Sequence, residues 1–544
     1  MRQTTLCVPL EVKPESVGAL SALITRFRLA IEDGVDAYGV IAAKVPTLHF
    51  MSMSVFPHSD YDPIFILEAN FDRAPGVFWG QLEAAFGEDL RAMLRCCKRP
   101  LDGDGALFDA VTAPDSRSPV APYLEARTQR PSVFHHGNRG LERDRILADW
   151  KLFERIREEL DPATGPSAYR GIPAEAARLK LRQRLSGEFS WLAERKPARI
   201  GFGESLRDYI RLTLFIAVVL LVLSLPGLVL APFLPWRSFL LLTAGLFLLL
   251  VLLLWRMRRG LPGTEVEGSA LSAIPFKYYL LLLLGIAAYV LLATALLLPL
   301  VVGASLVLDW IGAAGATSFD AAFRDVARAV VLGLAALLLT VPLLLVWIRY
   351  LEARDSSNDA PFLDERVLRE LVRREDWIAQ NHMGSIVLIK PGSLRSIVIH
   401  AGHLGLGLLL RVTARNGYLG SMRTVHFAHW AFLNNGSRLL FLSNFDHSWD
   451  SYLDDFIEKA AKGLTIAWGS GVGFPPARFL VLDGAAHGRQ FKAWALASRT
   501  VTRFWYSAYR ELTVDQIERN HRIANGLRPE RLSERQARAW MRDL

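Results

Sequence analysis

The sequence predicts an α+β membrane protein in which two copies of one domain flank a block of four transmembrane helices. Two observations lead to this fold class. Four long central segments contain no Asp, Glu, Lys, Arg or His, and short motifs that precede these segments recur after them at a nearly constant spacing. Repeated domains normally pack on each other. We therefore expect a pseudo-dimer within one chain.

The repeat is carried by matches that keep their register. Two matches are 377 residues apart, and the spacing then shortens to 374 and 371, as small differences in loop length would produce. The matching segments are Lys13-Pro14-x-Ser16 with Lys390-Pro391-x-Ser393, Thr47-x-His49-Phe50 with Thr424-x-His426-Phe427, Asn70-Phe71-Asp72 with Asn444-Phe445-Asp446, and Arg139-x-Leu141 with Arg510-x-Leu512.

Each copy predicts the element order βαββαβ, which is the ferredoxin-like arrangement. In the first copy, residues 6–12, 47–56 and 63–71 have strand patterns, and residues 15–30 and 77–94 have helix patterns. The second copy gives strands at 385–389, 424–433, 438–445 and 478–482, and helices at 394–412, 448–461, 489–497 and 514–523. We predict the first repeat within residues 1–165 and the second within 379–530, followed by a tail at 531–544.

The central block, residues 212–350, predicts four spans at 212–236, 238–255, 278–308 and 329–348. Each can cross a hydrocarbon core of about 30 Å at 1.5 Å per residue. A basic linker at 166–211 precedes the block and a charged linker at 351–378 follows it. The positive-inside rule then predicts a multi-pass protein of a bacterial-type inner membrane with both termini cytoplasmic. Residues 396–410 are apolar but short for a span, and we expect a helix that is buried between the copies or rests on the bilayer.

Composition excludes several classes of protein. The three cysteines, Cys7, Cys96 and Cys97, do not suggest a disulfide framework. The net charge of +9 is not accompanied by a nucleic-acid-binding signature, so no nucleic-acid partner is expected. The spans lack charged residues at mid-membrane, which makes transport through the four helices the least favoured function. Membrane lipids are the expected partners, and the oligomeric state is left open.

The candidate site residues come mainly from the second copy. His426 and His49 occupy the same strand position, and strand alternation would place His426 on an apolar face with Trp430, suited to acid/base chemistry or haem ligation, or simply to a hydrogen-bonded core histidine. Asp446 and Asp72 end a strand before a helix, where a helix N-cap is the simplest role.

Arg510 and Arg139 could each bind a carboxylate or propionate through a bidentate contact, or could form a salt bridge within the repeat. His429 is predicted on the strand face opposite His426. His400 and His403 lie three residues apart on one helix, which alone is a weak metal signal, and no metal site is predicted. The candidate catalytic residues are therefore His426 and Arg510, and the candidate ligand-binding residues are His49, His429, Trp430, Asp446 and Tyr506.

Two ferredoxin-like units that pair through their sheets resemble the dimeric α/β-barrel superfamily, which includes dye-decolourising peroxidases, chlorite dismutases, EthD-like proteins and small monooxygenases. The resemblance rests on element order, and the Gly-x-x-Asp-Gly haem motif of the dye-decolourising peroxidases is absent. The segments Gln380-Asn381-His382-Met383, Ser443-Asn444-Phe445-Asp446 and Tyr506-Ser507-Ala508-Tyr509 also resemble a group of bacterial membrane proteins, which implies no activity.

The resemblance implies an intramolecular barrel with haem as a conceivable cofactor. The leading prediction is a membrane protein whose paired domains bind an apolar or membrane-derived small molecule without established catalysis. The alternative is a haem-dependent, peroxidase-like oxidoreductase that acts on a lipophilic substrate.

Overall fold

The computed structural model describes residues 3–32, 37–58, 61–163, 166–194, 199–259, 276–355, 364–375, 379–419 and 422–544. The chain is a mixture of helices and sheets that divides into two compact units. The first unit contains Met1–Gly201, Pro361–Ala460 and Lys492–Leu544, and the second contains Phe202–Ala360 and Ala461–Phe491. Residues 461–491 thus group with the central helices and not with the rest of the second predicted repeat.

The strands are β1 (Gln3–Glu11), β2 (Leu48–Phe56), β3 (Ile64–Asp72), β4 (Val133–His136), β5 (Gln380–Leu388), β6 (Val425–Leu433), β7 (Arg438–Asp446), β8 (Ala477–Arg478), β9 (Leu482–Asp483), β10 (Arg499–Thr500) and β11 (Thr502–Ser507).

The helices are α1 (Val17–Glu32), α2 (Ala37–Lys44), α3 (Pro75–Arg95), α4 (Gly105–Thr112), α5 (Ala121–Ala126), α6 (Arg143–Leu160), α7 (Ala174–Leu185), α8 (Phe202–Leu230), α9 (Trp236–Arg256), α10 (Phe276–Trp310), α11 (Phe319–Ala353), α12 (Glu365–Glu375), α13 (Ser393–Thr413), α14 (Trp449–Trp468), α15 (Gly488–Ala497), α16 (Val514–Leu527) and α17 (Glu534–Met541).

The first unit contains two antiparallel sheets that exchange strands. One sheet has the order β1-β3-β2-β11 and the other has the order β10-β5-β7-β6-β4. The exchange is reciprocal, because β4 pairs with β6 through Val133 and Trp430, and β11 pairs with β2 through Phe504 and Met53. These two residue pairs are related by the spacings of 371 and 377 residues found in the sequence repeats.

Each exchanged segment pairs with both sheets. Gln129 pairs with Cys7 of β1 just before β4 joins β6. In the same way, Thr500 pairs with Gly384 of β5 just before β11 joins β2. Each of these two chain segments therefore pairs with a strand of one sheet and then with a strand of the other.

The last strand of the second half does not lie where the sequence analysis placed it. Residues 478–482 form a tight hairpin between β8 and β9, with Phe479 and Leu480 at positive φ angles of 50° and 65°. The strand that completes a large sheet is β11, whose aromatic residues were assigned to no element. The prediction was wrong because the apolar pattern of residues 478–482 belongs to a turn.

Helices cover the outer face of the β1-β3-β2-β11 sheet. Leu20 and Ile24 of α1 and Phe78 of α3 are buried in one cluster with outward-facing strand residues such as Met53 and Phe504. Full burial of a side chain of this size stabilises the fold by roughly 1.5–3 kcal/mol. Strands β2 and β3 are buried along their whole length, so the inner face of the sheet is covered as well.

The predicted basic linker at 166–211 is partly folded. Its helix α7 packs with α16 and α17 around Leu181, Leu527 and Trp540. Arg178 is fully buried, binds Glu175 at 2.7 Å and donates to backbone carbonyl groups near the C-terminus. Part of the basic charge in this segment therefore stabilises the first unit.

The second unit contains the four predicted spans as α8, α9, α10 and α11. Close contacts between small residues join them, since a Cβ atom on Gly227 of α8 would lie 2.4 Å from the carbonyl oxygen of Leu332 in α11. Small residues allow helices to approach closely in a membrane, where the hydrophobic effect does not drive helix association. At the end of α11, Glu352 accepts hydrogen bonds at 2.9 Å from the backbone N–H groups of Phe479 and Leu480.

Five helices of the described chain are long and apolar enough to cross a membrane, which indicates a membrane protein. Four of them are the predicted spans. The fifth is α13, which was not predicted to cross and which belongs to the first unit. The five segments are Phe202–Leu230, Trp236–Arg256, Tyr278–Trp310, Phe319–Ala353 and Ser393–Thr413.

Candidate functional site

His49 lies in a β-bulge of β2, close to Asp72 at the end of β3, which in turn binds the N-terminus of α6. Its Nε2 atom is 3.0 Å from Oδ2 of Asp72, and the same oxygen accepts a 2.9 Å hydrogen bond from the backbone N–H of Arg143, the first residue of α6. The Nδ1 atom of His49 is hydrogen-bonded to the hydroxyl of Tyr509 at 2.8 Å. The ring is fully buried.

His426 repeats this arrangement in the second half. It lies in the bulge of β6, and its Nε2 atom is 2.8 Å from Oδ1 of Asp446. The other oxygen of Asp446 accepts a 2.8 Å hydrogen bond from the backbone N–H of Val514, the first residue of α16. The Nδ1 atom of His426 is buried without a hydrogen-bond partner among the described residues, and Phe50 packs against the ring at 5.3 Å.

The bulge in β6 explains why strand alternation gave the wrong neighbour for His426. An extra residue in the strand disrupts the alternation at that point. His426 consequently contacts Phe50 and Tyr509 instead of aligning with Trp430, which packs on Phe441 at 4.6 Å.

The N-cap prediction for the aspartates was also wrong. Helix α3, which follows Asp72, begins after Ala74 without a side-chain cap. Asp72 and Asp446 instead bind the N-termini of α6 and α16, where the partial positive charge of a helix favours a carboxylate. Each aspartate therefore joins a strand end and a distant helix.

A second buried polar cluster surrounds Glu68 of β3, which the sequence analysis did not select. The carboxylate accepts hydrogen bonds from Ser52 at 2.8 Å, from Asn70 at 3.0 Å and from His382 at 2.9 Å. The Nδ1 atom of His429 lies 3.5 Å from Oε1 of Glu68, the oxygen that also accepts the hydrogen bond from Asn70. All of these side chains are buried.

Electrostatics keep Glu68 ionised. Burial alone would raise the pKa of Glu68, but the hydrogen bonds from His382 and Asn70 and the electrostatic attraction of His382 and His429 lower it to about 2. Burial lowers the pKa of His429 to about 4, against the attraction of Glu68. The one signal in the sequence is a glutamate within a strand that is otherwise apolar, Ile64–Asp72.

The other predicted site residues are dispersed. Tyr506 is buried on the outer face of its sheet, in the cluster under α1 and α3. Trp430 is buried beneath α13, 6.4 Å from His403. Arg510 is exposed in the turn that follows β11. The structure therefore brings His49, His426 and Asp446 near the N-termini of α6 and α16, places His429 with Glu68, and separates the remaining three.

The residues around His426 do not fit a haem. A haem ligand needs a ring nitrogen that faces an open cavity, whereas Nε2 of His426 binds Asp446 and the ring packs against Phe50 and Tyr509. His400 and His403 also have partners, because their Nδ1 atoms bind the carbonyl oxygen of Ser396 at 2.7 Å and the hydroxyl of Ser132 at 2.9 Å. Among the described residues, no group of three or more His, Cys, Asp or Glu side chains could hold a metal ion.

A small, open surface cleft, with a cavity volume of about 20 Å³, lies between the end of β4 and the C-terminal end of α13. Its walls combine cationic and apolar groups and contain no acidic side chain. Arg139 donates a 2.8 Å hydrogen bond to the carbonyl oxygen of Arg411, and the Arg411 guanidinium lies over the Phe134 ring at 4.7 Å. The lining residues are Phe134, His135, His136, Arg139, Leu410, Arg411 and Ala414.

Positive charge in the cleft affects its imidazoles. Burial lowers the pKa of His136 well below its usual value, and His135, His49, Arg139 and Arg411 lower it further. Burial also lowers the pKa of His135 to about 4. Both rings are therefore neutral at pH 7, and the guanidinium groups supply the charge. The sequence indicated Arg139 only as the repeat partner of Arg510.

Comparisons with protein-family models, curated proteins and solved structures gave no match, so a functional assignment rests on the geometry of this chain.

Proposed function

We propose that the first unit is an intramolecular α/β barrel of the dimeric ferredoxin-like type, formed by two tandem repeats. The reciprocal exchange of β4 and β11 supports this proposal, because it follows the register expected from a two-fold relation between the repeats. Gln129 pairs with β1 just before the chain joins the other sheet as β4, and Thr500 pairs with β5 just before the chain joins the other sheet as β11. These pairings support a closed ring of strands. Closure removes exposed sheet edges, which is the advantage of a barrel.

We further propose that this barrel is a binding module for a small anionic amphiphile from the membrane. The observation that carries the proposal is the cleft beside α13, where Arg139 and Arg411 adjoin apolar groups of Phe134, Leu410 and Ala414. Guanidinium groups suit carboxylates and phosphates because they bind two oxygens at once. An apolar wall beside them suits the acyl part of the same molecule.

Binding without turnover fits the chemistry better than catalysis does. A general acid or base must come within hydrogen-bonding reach of its substrate. His426 and His49 are fully buried, with His426 hydrogen-bonded to Asp446 and His49 to Tyr509. Arg510, the other predicted catalytic residue, is exposed in a separate turn. The four spans would hold the module at a bacterial-type inner membrane, with both termini cytoplasmic.

The decisive experiment is mass spectrometry of small molecules that the full-length protein retains after purification in a mild detergent. Arg139→Gln removes one cleft guanidinium, and we expect it to reduce the retained amphiphile at least tenfold. The matched control is Arg510→Gln, which changes the repeat-related arginine outside the cleft and should leave retention unchanged. Equal retention by all three proteins, or retention of no amphiphile by the wild type, would contradict the proposal.

A further inference from the structure

Helix α13 has the length and composition of a membrane span, but one of its faces is part of a protein core. Ile399 and His403, which lie four residues apart on this face, are buried, and the His403 ring is hydrogen-bonded to the hydroxyl of Ser132 at 2.9 Å. If α13 crossed a bilayer, it would have to leave its sheet and place the His403 imidazole in hydrocarbon. Ionisable groups are costly there.

The opposite face of α13 is apolar and open. Ile397 is 66% exposed and Leu404 is 54% exposed. These residues share a stripe with Ala401, Leu408 and Arg411, since positions spaced by three and four residues lie on one side of a helix. The stripe is therefore apolar along most of its length and ends in an arginine.

The charged residues in the sequence around α13 are all basic. The sequence contains no Asp or Glu from residue 377 to residue 445. The same stretch contains six cations, of which Lys390 and Arg438 are buried and Arg423 forms an ion pair with Asp515. The partly or fully exposed cations are therefore Arg395, Arg411 and Arg415. The region is therefore complementary to a surface of anionic lipid.

Helix α1 occupies the same place in the first half and has neither property. Acidic residues flank it, with Glu15 before it and Glu32, Asp33 and Asp36 at its end and beyond. Among residues 17–28 of α1, whose side chains the structure describes, the exposed positions are Gly18, Ala19, Ala22 and Arg26, and none of these is a large apolar residue. The repeat architecture alone consequently does not require a stripe of large apolar residues at this position.

We infer that α13 lies along the surface of an anionic bilayer as a monotopic helix and does not span it. Helices of this kind bury an apolar face about 5–10 Å into the boundary between headgroups and acyl chains, and their arginines interact with anionic headgroups. The inference goes beyond the proposed cleft function and does not depend on it. It assigns the partner of the stripe as phosphatidylglycerol-containing membrane.

The test is electron paramagnetic resonance of a spin label at Leu404→Cys in full-length protein reconstituted in phosphatidylcholine–phosphatidylglycerol vesicles. Cys7, Cys96 and Cys97 are buried, so the introduced thiol is the most reactive one among the described cysteines. Collision rates with oxygen, which enters lipid, and with a water-soluble nickel chelate report the depth of the label. Matched labels at Ala22→Cys, an exposed position on α1, and Leu248→Cys, a 68% exposed position near the middle of α9, provide the aqueous and the membrane references.

We expect the Leu404 label to be protected from nickel and to lie at a depth between the two references. A Leu404 label as accessible to nickel as the Ala22 label would overturn the inference by showing that the stripe faces water. A label as deep as that at Leu248 would also overturn it, because α13 would then be a fifth span. Vesicles without phosphatidylglycerol should make the label shallower, and an unchanged depth would refute the assignment to anionic lipid.

Discussion

The His49 and His426 sites use the same local sequence and differ in one partner. In both, a histidine in a β-bulge approaches an aspartate that holds the first N–H of a distant helix. At His49, the Tyr509 hydroxyl satisfies the remaining nitrogen. The residue that corresponds to Tyr509 at the repeat spacing of 371 is Asn138. Its side-chain amide donates a hydrogen bond to Glu518 instead of binding His426. The shared contacts serve the fold, and the two halves differ in the residues that follow the exchanged strands.

The largest expected effect tests the shared part. Asp446→Ala leaves His426 and the N-terminus of α16 without their carboxylate, so we expect a loss of about 3 kcal/mol in the free energy of unfolding. Asp72→Ala should cost a similar amount. The measurement is urea unfolding of the full-length protein in a non-denaturing detergent, followed by tryptophan fluorescence. If only one variant is destabilised, the two sites are not equivalent.

The Glu68 cluster provides the next test, because the two halves of the chain contribute different chemical groups to it. The first half supplies the carboxylate, and the second supplies His382 and His429. The lowered pKa of Glu68 means that its stabilising effect is present above its usual pKa of 4.5 and is lost as pH falls towards about 2. We expect Glu68→Gln to lower the free energy of unfolding at pH 7 by on the order of 3 kcal/mol.

The pH profile separates charge from packing in this variant. Between about pH 5 and pH 3, the stability of the wild type should fall more steeply than that of Glu68→Gln, because the variant has no proton to take up at this position. Parallel pH profiles would show that the cluster does not depend on an ionised Glu68.

A smaller effect is expected when the His49 site is made to resemble the His426 site. Tyr509→Phe removes the hydroxyl that binds Nδ1 of His49 and leaves that nitrogen buried without its partner. The expected loss is about 1–2 kcal/mol, measured by the same unfolding experiment. No loss would mean that the unpartnered nitrogen at His426 is also without energetic cost.

The smallest effect concerns the exposed arginine of the repeat pair. Arg510 is exposed in a turn, so Arg510→Gln should leave the free energy of unfolding unchanged within about 0.5 kcal/mol. A clear loss would show that Arg510 has a structural role comparable to that of the aspartates. The same protein serves as the control for the retention experiment, so its folding is established before retention is interpreted.

Sequence patterns predicted the features that depend on local spacing. The four spans, the hairpins β2–β3 and β6–β7 and the helices that follow them lie close to the predicted positions. Register effects were not accessible in this way, since the bulges at His49 and His426 depend on pairing with another strand. The Glu68 cluster was missed because Glu68 and His382 are 314 residues apart in the chain.

Strand exchange also constrains how the protein is made. Val133–His136 can take its place only when Val425–Leu433 exists, and the ribosome reaches that strand after all four spans have been synthesised. The strands before the membrane block therefore emerge as an incomplete sheet with an unpaired edge. Such an edge favours aggregation until its partner strand has been synthesised. Closing a sequence separation of this size also slows folding. Synthesis of the central helices thus precedes completion of either sheet.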